Sequence, residues 1–326
     1  MKKRILSGMR PSGKLHLGHF EGVLKYWAKL QDEYECYYEI ADLHALTTDY
    51  QNTSEIKENI REMMVDWLCL GLDPEKSALF IQSKVPEHSE LHLLLSMIVP
   101  LPWLERCPTY KEQLKQIKDK DLSTYGFLGY PVLQAADILL YKANAVPVGE
   151  DQLPHLELTR EIARRFNYLY QKKVFPEPGP LLTKTPKIPG IDGRKMSKSY
   201  HNSIYLSDSK KVVREKVMQM FTDPKRIHKK DKGHPEGCVV FAFQEIYNKE
   251  KASIIKKDCL SAKIGCTDCK KILAEKLVKS LEPLLEKRKE FVAQPELIDD
   301  ILNEGRKKAG ETARRTLQEV KEAMKI

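Results

Sequence analysis

Two segments of this sequence carry the residue types that handle phosphate. The first, Pro11-Ser12-Gly13-Lys14-Leu15-His16-Leu17-Gly18-His19, joins a glycine turn to two imidazoles. The second, Gly193-Arg194-Lys195-Met196-Ser197-Lys198-Ser199, is small, polar and cationic. Backbone N–H groups at a helix N-terminus, with the helix dipole behind them, favour an anionic phosphate. Imidazole N–H groups can donate to phosphate oxygens whose charge grows in a pentavalent transition state. Gly18 leaves room for a planar base to approach the backbone. Lysine is a compact point charge, and a loop of small residues bearing two of them can close on pyrophosphate. Together the segments describe a site for a nucleoside triphosphate.

Neither segment fits the commoner phosphate motifs. Gly8-x4-Gly13-Lys14-Leu15 departs from a P-loop at Leu15, where a hydroxyl would ligate Mg²⁺. There is no Gly-x-Gly-x-x-Gly dinucleotide turn at this strand–helix junction. His16 and His19 share a helix face and could begin a zinc site, but no third ligand stands near them. Taken singly, the first segment also reads as a capped helix and the second as a solvated basic turn.

A third group is sulfur. Of seven cysteines, Cys36, Cys69 and Cys107 sit singly in apolar surroundings as small core residues. The other four follow Cys238-x20-Cys259-x6-Cys266-x2-Cys269. Four thiolates so spaced can hold zinc or a [4Fe–4S] cluster. Zinc modules more often carry two Cys-x-x-Cys knuckles, and only one is present.

The elements that must position these groups alternate in the first half. Residues 4–8, 35–41 and 78–82 read as strands, whereas 17–30, 54–72 and 155–170 have helical periodicity. That alternation predicts an α/β fold with a Rossmann-like parallel sheet and right-handed crossovers. Prolines 176, 178, 180, 186 and 189 predict a linker without regular structure. From Ser207 onward the pattern is almost wholly helical and ends in an amphipathic segment, 298–324.

Charge is uneven. Of the net +9, most arises between Leu206 and Glu290, where 21 Lys and Arg face 13 Asp and Glu. Such an excess suits a polyanion, and equally a set of solvated lysine faces. No apolar run reaches the length of a membrane span, and the first residues lack a secretory core, so a cytoplasmic protein is expected.

His16-Leu17-Gly18-His19 and Lys195-Met196-Ser197-Lys198-Ser199 resemble the paired HIGH and KMSKS motifs of the class I aminoacyl-tRNA synthetases. Tyr130 to Tyr141, Val146 to Gln152, His155 to Asn167 and Phe221 to Pro224 narrow the resemblance to the bacterial tryptophanyl-tRNA synthetase family, end to end. It implies a second, all-helical anticodon-binding domain, ATP with Mg²⁺, L-tryptophan and tRNA(Trp) as partners, and a homodimer. Asp137 would accept the indole N–H, with Leu6, Val146 and Val148 lining the ring. His44, Tyr130 and Gln152 would hold the amino-acid head group. ATP contacts would fall on Arg10, Pro11, Ser12, Gly18, His19, Gly149, Glu150, Asp151, Ile188 and the loop Lys195, Met196, Ser197, Lys198 and Ser199. Catalysis would rest on His16, His19, Lys195 and Lys198.

The resemblance also divides the chain into a catalytic domain (1–190), a loop and hinge (191–205), a basic helical domain (206–292) and a terminal helix (293–326) packing back on the first. A subset of the family carries a [4Fe–4S] cluster on such cysteines, which favours iron–sulfur over zinc at Cys238, Cys259, Cys266 and Cys269. Arg10, Gln134 and Gln113 depart from many relatives' Gln, Met and Lys; whether Lys115 replaces the last is left open by the sequence. The rival readings are a tyrosyl-tRNA synthetase-like enzyme and a non-catalytic RNA-binding paralogue.

Overall fold

Five parallel strands pair in the order β3-β2-β1-β4-β5: β1 Arg4–Met9, β2 Glu35–Ile40, β3 Ser77–Ile81, β4 Ala145–Val148 and β5 Gly179–Leu182. The computed structural model describes residues 2–116, 120–182, 188–228 and 230–326, without the side chains of Gln116 and Ser199. β2 pairs in register with both neighbours, Leu6 facing Tyr37 and Tyr37 facing Ala78. Its residues are buried almost throughout, as a central parallel strand requires.

β5 corrects one expectation. The proline-rich stretch was expected to lack regular structure, yet Pro180 sits within a strand. It is an edge strand, where a residue with no N–H to give is tolerated. Pro147 marks β4 likewise: the register with β1 is a single pair, Ile5 with Ala145, while β4 pairs along its length with β5.

The chain forms two compact units. The first comprises Met1–Gly13, Trp27–Lys184 and Gln294–Ile326, and holds the sheet. Helices Glu87–Ser96, Tyr125–Leu140 and Leu153–Leu169 contribute to its core, with Phe80, Leu91 and Leu139 fully buried. The helix Pro295–Met324 covers β3. It approaches so closely at Gly305 that a Cβ there would stand 1.8 Å from the Leu79 carbonyl oxygen. Further along, the Thr312 hydroxyl meets that of Tyr37 at 3.0 Å.

The second unit comprises Lys14–Tyr26 and Thr185–Ala293. Its longer helices among the described residues are Lys210–Gln219, Val239–Tyr247, Lys249–Leu260 and Cys266–Val292. Its apolar centre includes Val217, Phe243, Leu273 and Leu277. The predicted helix at 17–30 forms with an interruption, a π turn at Phe20–Leu24 between α-helical Leu17–His19 and Lys25–Leu30. π turns recur beside functional residues. Among the described residues no helix is long and apolar enough to cross a membrane.

Candidate active site

In an open parallel sheet, ligands bind at the carboxyl ends of the strands, where the winding direction reverses. Here that point lies between β1 and β4. Arg10, Pro11 and Ser12 follow β1, His44 follows β2 in the helix Asp42–Asp49, Gln82 follows β3, and Gly149 to Gln152 follow β4.

Asp137 lies 1% exposed on the helix Tyr125–Leu140, two turns beyond Tyr130 and on the same face. Its carboxylate is fully engaged. Oδ1 accepts from Gln82 Nε2 at 2.8 Å and His88 Nδ1 at 2.7 Å. Oδ2 accepts from His44 Nε2 at 2.8 Å and the same Gln82 nitrogen at 2.9 Å. Burial would raise this acid, but the hydrogen bonds from His44 and His88 hold it well below the usual carboxylate range. Its neighbour Glu39 goes the other way, pushed far up by burial and by the Asp137 charge. One carboxyl is therefore ionised and the other neutral. Glu39, His88 and Asp137 are also a trio whose ligand atoms lie within 4.8 Å of one another.

Leu6, Val146 and Val148 join one buried cluster with Tyr37 and Tyr141, whose rings stack at 4.5 Å. Tyr130 and Gln152 meet through a residue not foreseen as functional. His155 is 2% exposed. Its Nδ1 bonds the Gln152 oxygen at 3.0 Å, and its Nε2 lies 2.8 Å from the Tyr130 hydroxyl and 2.7 Å from that of Thr109. An amide oxygen only accepts, so Nδ1 carries the proton and Nε2 receives the two hydroxyls. Burial drives His155 down to about 4, which keeps this neutral tautomer. His44 bonds Asp137 rather than standing beside Tyr130 and Gln152 by any hydrogen bond.

The second unit carries the histidine turn and the lysine loop. Leu17 N donates to Ile204 O at 3.0 Å and Leu206 N to Leu15 O at 2.9 Å, so the stretch after the loop holds the turn in place. The His16 and His19 rings stack at 3.8 Å. His16 Nδ1 accepts from Gly18 N, and His19 Nδ1 accepts from His16 N, at 3.1 and 3.2 Å. Both rings therefore present Nε2–H as a donor. Burial lowers His16 to about 4, assisted by the Lys198 charge, and burial also holds His19 well below its ordinary value. They are neutral hydrogen-bond donors, not cations. A Cβ at Gly18 would lie 2.9 Å from the His16 ring, so only glycine leaves this surface open.

In the loop, Lys195 is exposed and Met196 is buried. Asn202, another residue missed from sequence, ties the loop together. Its Oδ1 accepts from Ser197 N at 2.8 Å, and its Nδ2 donates to Asp192 Oδ1 at 2.8 Å and Lys195 O at 3.1 Å. Arg194 folds over the Tyr200 ring and pairs with Asp192. The expected ATP residues thus divide: Arg10, Pro11, Ser12, Gly149, Glu150 and Asp151 in the first unit, Gly18, His19, buried Ile188 and the lysine loop in the second. The Ser199 side chain falls outside what is described.

Cys238, Cys259, Cys266 and Cys269 line one cavity of the second unit. Arg226 Nη1 reaches Cys266 Sγ at 4.0 Å, and Gln244 Nε2 donates to Cys269 Sγ at 3.6 Å. A Cβ at Gly233 would meet Cys259 Sγ at 2.4 Å. Among the described residues no three of these sulfurs lie within 4.8 Å of one another. Burial raises the thiol of Cys269 to about 11.

Gln82, His88, His155 and Asn202 hold candidate site residues by hydrogen bonds that local sequence does not announce. Gln82 had a usable signal, since it follows a strand at the sheet's carboxyl edge.

The family described as tRNA synthetases class I (W and Y) matches residues 1–282. A tryptophan–tRNA ligase from Thermotoga maritima is 53% identical over 99% of both chains. One from Aquifex aeolicus is 48% identical over 99% of this chain and 100% of its own. The solved structure of tryptophanyl-tRNA synthetase from Campylobacter jejuni complexed with ADP and tryptophan superposes with a TM-score of 0.91. It is 31% identical and covers 99% of this chain and all of its own. The chain belongs to the class I tRNA synthetases of the tryptophan and tyrosine family, on its tryptophan–tRNA ligase side.

Proposed function

We propose that Asp137 selects L-tryptophan, that ATP with Mg²⁺ converts the amino acid to tryptophanyl-adenylate, and that the product is transferred to tRNA(Trp). The observation that carries this is a buried, ionised carboxylate joined through His88 to Tyr141, whose apolar cluster includes Leu6, Val146 and Val148. An indole has one donor and no acceptor, so a carboxylate matches it, whereas a phenol also seeks a donor. The Campylobacter jejuni relative, solved with ADP and tryptophan, supports the same reading.

The tryptophan carboxylate attacks the α-phosphorus in line, the bond to the leaving pyrophosphate breaks, and no protein nucleophile takes part. Nε2–H of His16 and His19 donates to phosphate oxygens, and Lys195 and Lys198 receive the charge growing on pyrophosphate. Neutral imidazoles suit this role, because they donate without needing a proton from solvent. His155 sets the Tyr130 hydroxyl and Gln152 amide for the head group. A panel of ATP–pyrophosphate exchange across amino acids tests the assignment. Exchange with tryptophan alone is expected; exchange driven by tyrosine would overturn it.

The basic helical residues 206–292 would bind the anticodon region, with 293–326 serving the catalytic domain. Binding of tRNA should then weaken steeply with salt. Exposed Leu93, Met97 and Leu101 in the first unit support a homodimer, measurable by light scattering. The four cysteines would hold a [4Fe–4S] cluster. A single Cys-x-x-Cys among the four supports a cluster over a zinc module, which more often carries two such knuckles. N–H donors to sulfur from Arg226 and Gln244 suit such a site. Anaerobically purified protein should be brown with about four irons per chain. Colourless protein with one zinc would refute this.

A further inference from the structure

The Asp137 carboxylate has no lone-pair direction left for a ligand. Four contacts from three residues occupy its two oxygens, and an ionised carboxylate offers about four acceptor directions. An arriving indole N–H must therefore replace a donor. Two of the three donors are locked. Gln82 is fully buried, and its amide oxygen accepts from the backbone N–H groups of Leu43 and His44 at 3.1 and 3.4 Å. His88 is fully buried and bonded on its far side to the Tyr141 hydroxyl at 2.8 Å. The His44 side chain alone is open, at 13% exposure, and Asp137 is its ring's hydrogen-bonding partner.

We propose that the His44 imidazole is a resident stand-in for the indole N–H, capping Asp137 Oδ2 until tryptophan displaces it. This rests on the reading that Asp137 recognises the indole. Binding then exchanges one N–H donor for another, so the buried carboxylate is never left bare. A side chain of indole shape but without the donor has nothing to offer Oδ2 in return and leaves His44 in place. His44 thereby sets the size of the preference for tryptophan, tempering it by the bond that the indole must displace.

The test compares tryptophan with β-(benzothiophen-3-yl)alanine, in which sulfur replaces the N–H. Any contact of His44 with the shared head group cancels in the ratio of their dissociation constants. Removing the competing bond with His44→Ala should raise the preference for tryptophan about tenfold. In the unmodified protein with ¹⁵N-labelled histidine, tryptophan should move the His44 Nε2 resonance, and the sulfur analogue should leave it. A clear wild-type preference that His44→Ala does not change, or equal resonance shifts with both ligands, overturns the exchange alone. A ratio near one in both proteins overturns the Asp137 reading as well.

Discussion

The surroundings of Asp137 and the Lys195–Ser199 loop treat polar atoms in opposite ways. Around Asp137 each carboxylate oxygen has two donors, and two of the three donor residues, Gln82 and His88, are themselves bonded behind. In the loop, by contrast, the Lys195 side chain is exposed, and its ammonium has no hydrogen-bond or ion-pair partner among the described residues. A buried acceptor discriminates, because it rewards a ligand that brings a donor and offers nothing to one without it. A hydrated cation on a short loop recruits, because its full charge remains for the phosphate that arrives. One unit of this enzyme is built to reject and the other to attract.

Removing the recruiting charge should do the most damage. Lys195→Ala is expected to cut ATP–pyrophosphate exchange on the order of 10³-fold while leaving the melting temperature unchanged, since the side chain is exposed. A loss below about tenfold would take the loop out of the chemistry. Asp137→Asn keeps the shape but turns an NH₂ towards existing donors. Tryptophan kcat/KM should fall about 10²-fold, with the melting temperature falling too, and that double effect separates the two regions. If both variants behaved alike, the contrast would be false.

Acid sharpens the comparison next. Burial lowers His155 to about 4, so on acidification the unfolded chain takes up its proton first, near 6.5. The stability that neutral His155 contributes is complete above that value and is lost progressively as pH falls towards 4. By pH 5 the loss should be about 2 kcal/mol, read from urea midpoints at pH 7.5 and 5. His155→Asn should reduce that dependence by its own share, leaving what buried His16 and His19 contribute; an unchanged slope would remove His155 as a source. The smallest effect is expected at Asn202, a buried network within the exposed loop. Asn202→Ala should lower kcat about tenfold with a modest drop in melting temperature, measured by exchange and calorimetry.

How far the sequence was legible follows from how local each signal is. His16-Leu17-Gly18-His19 and the lysine loop are contiguous, so their chemistry could be read directly. Asp137 stood out as a carboxylate inside Ala-Ala-Asp-Ile-Leu-Leu. Strands β1 to β3 announced themselves through β-forming residues, whereas β4 and β5 were hidden by Pro147 and Pro180, whose tolerance depends on ladder position. The supporting residues were out of reach for a different reason. Gln82 and His88 act on a carboxylate some fifty positions away, and nothing in their own neighbourhoods names that partner. Neutral His16 and His19 were equally invisible, because burial rather than sequence removes their charge.

The close approach of Gly305 to Leu79 has a consequence in time. During synthesis β3 emerges early, but the helix that covers it, Pro295–Met324, is made only after all of Thr185–Ala293. The second unit can close around its own helices while the first still waits, with a sheet face bare, for its last segment. Contacts so distant in sequence form slowly and leave apolar surface exposed meanwhile. A ribosome stalled between residues 293 and 305 would therefore hold a chain whose helical unit is fully synthesised but whose sheet still lacks its covering helix.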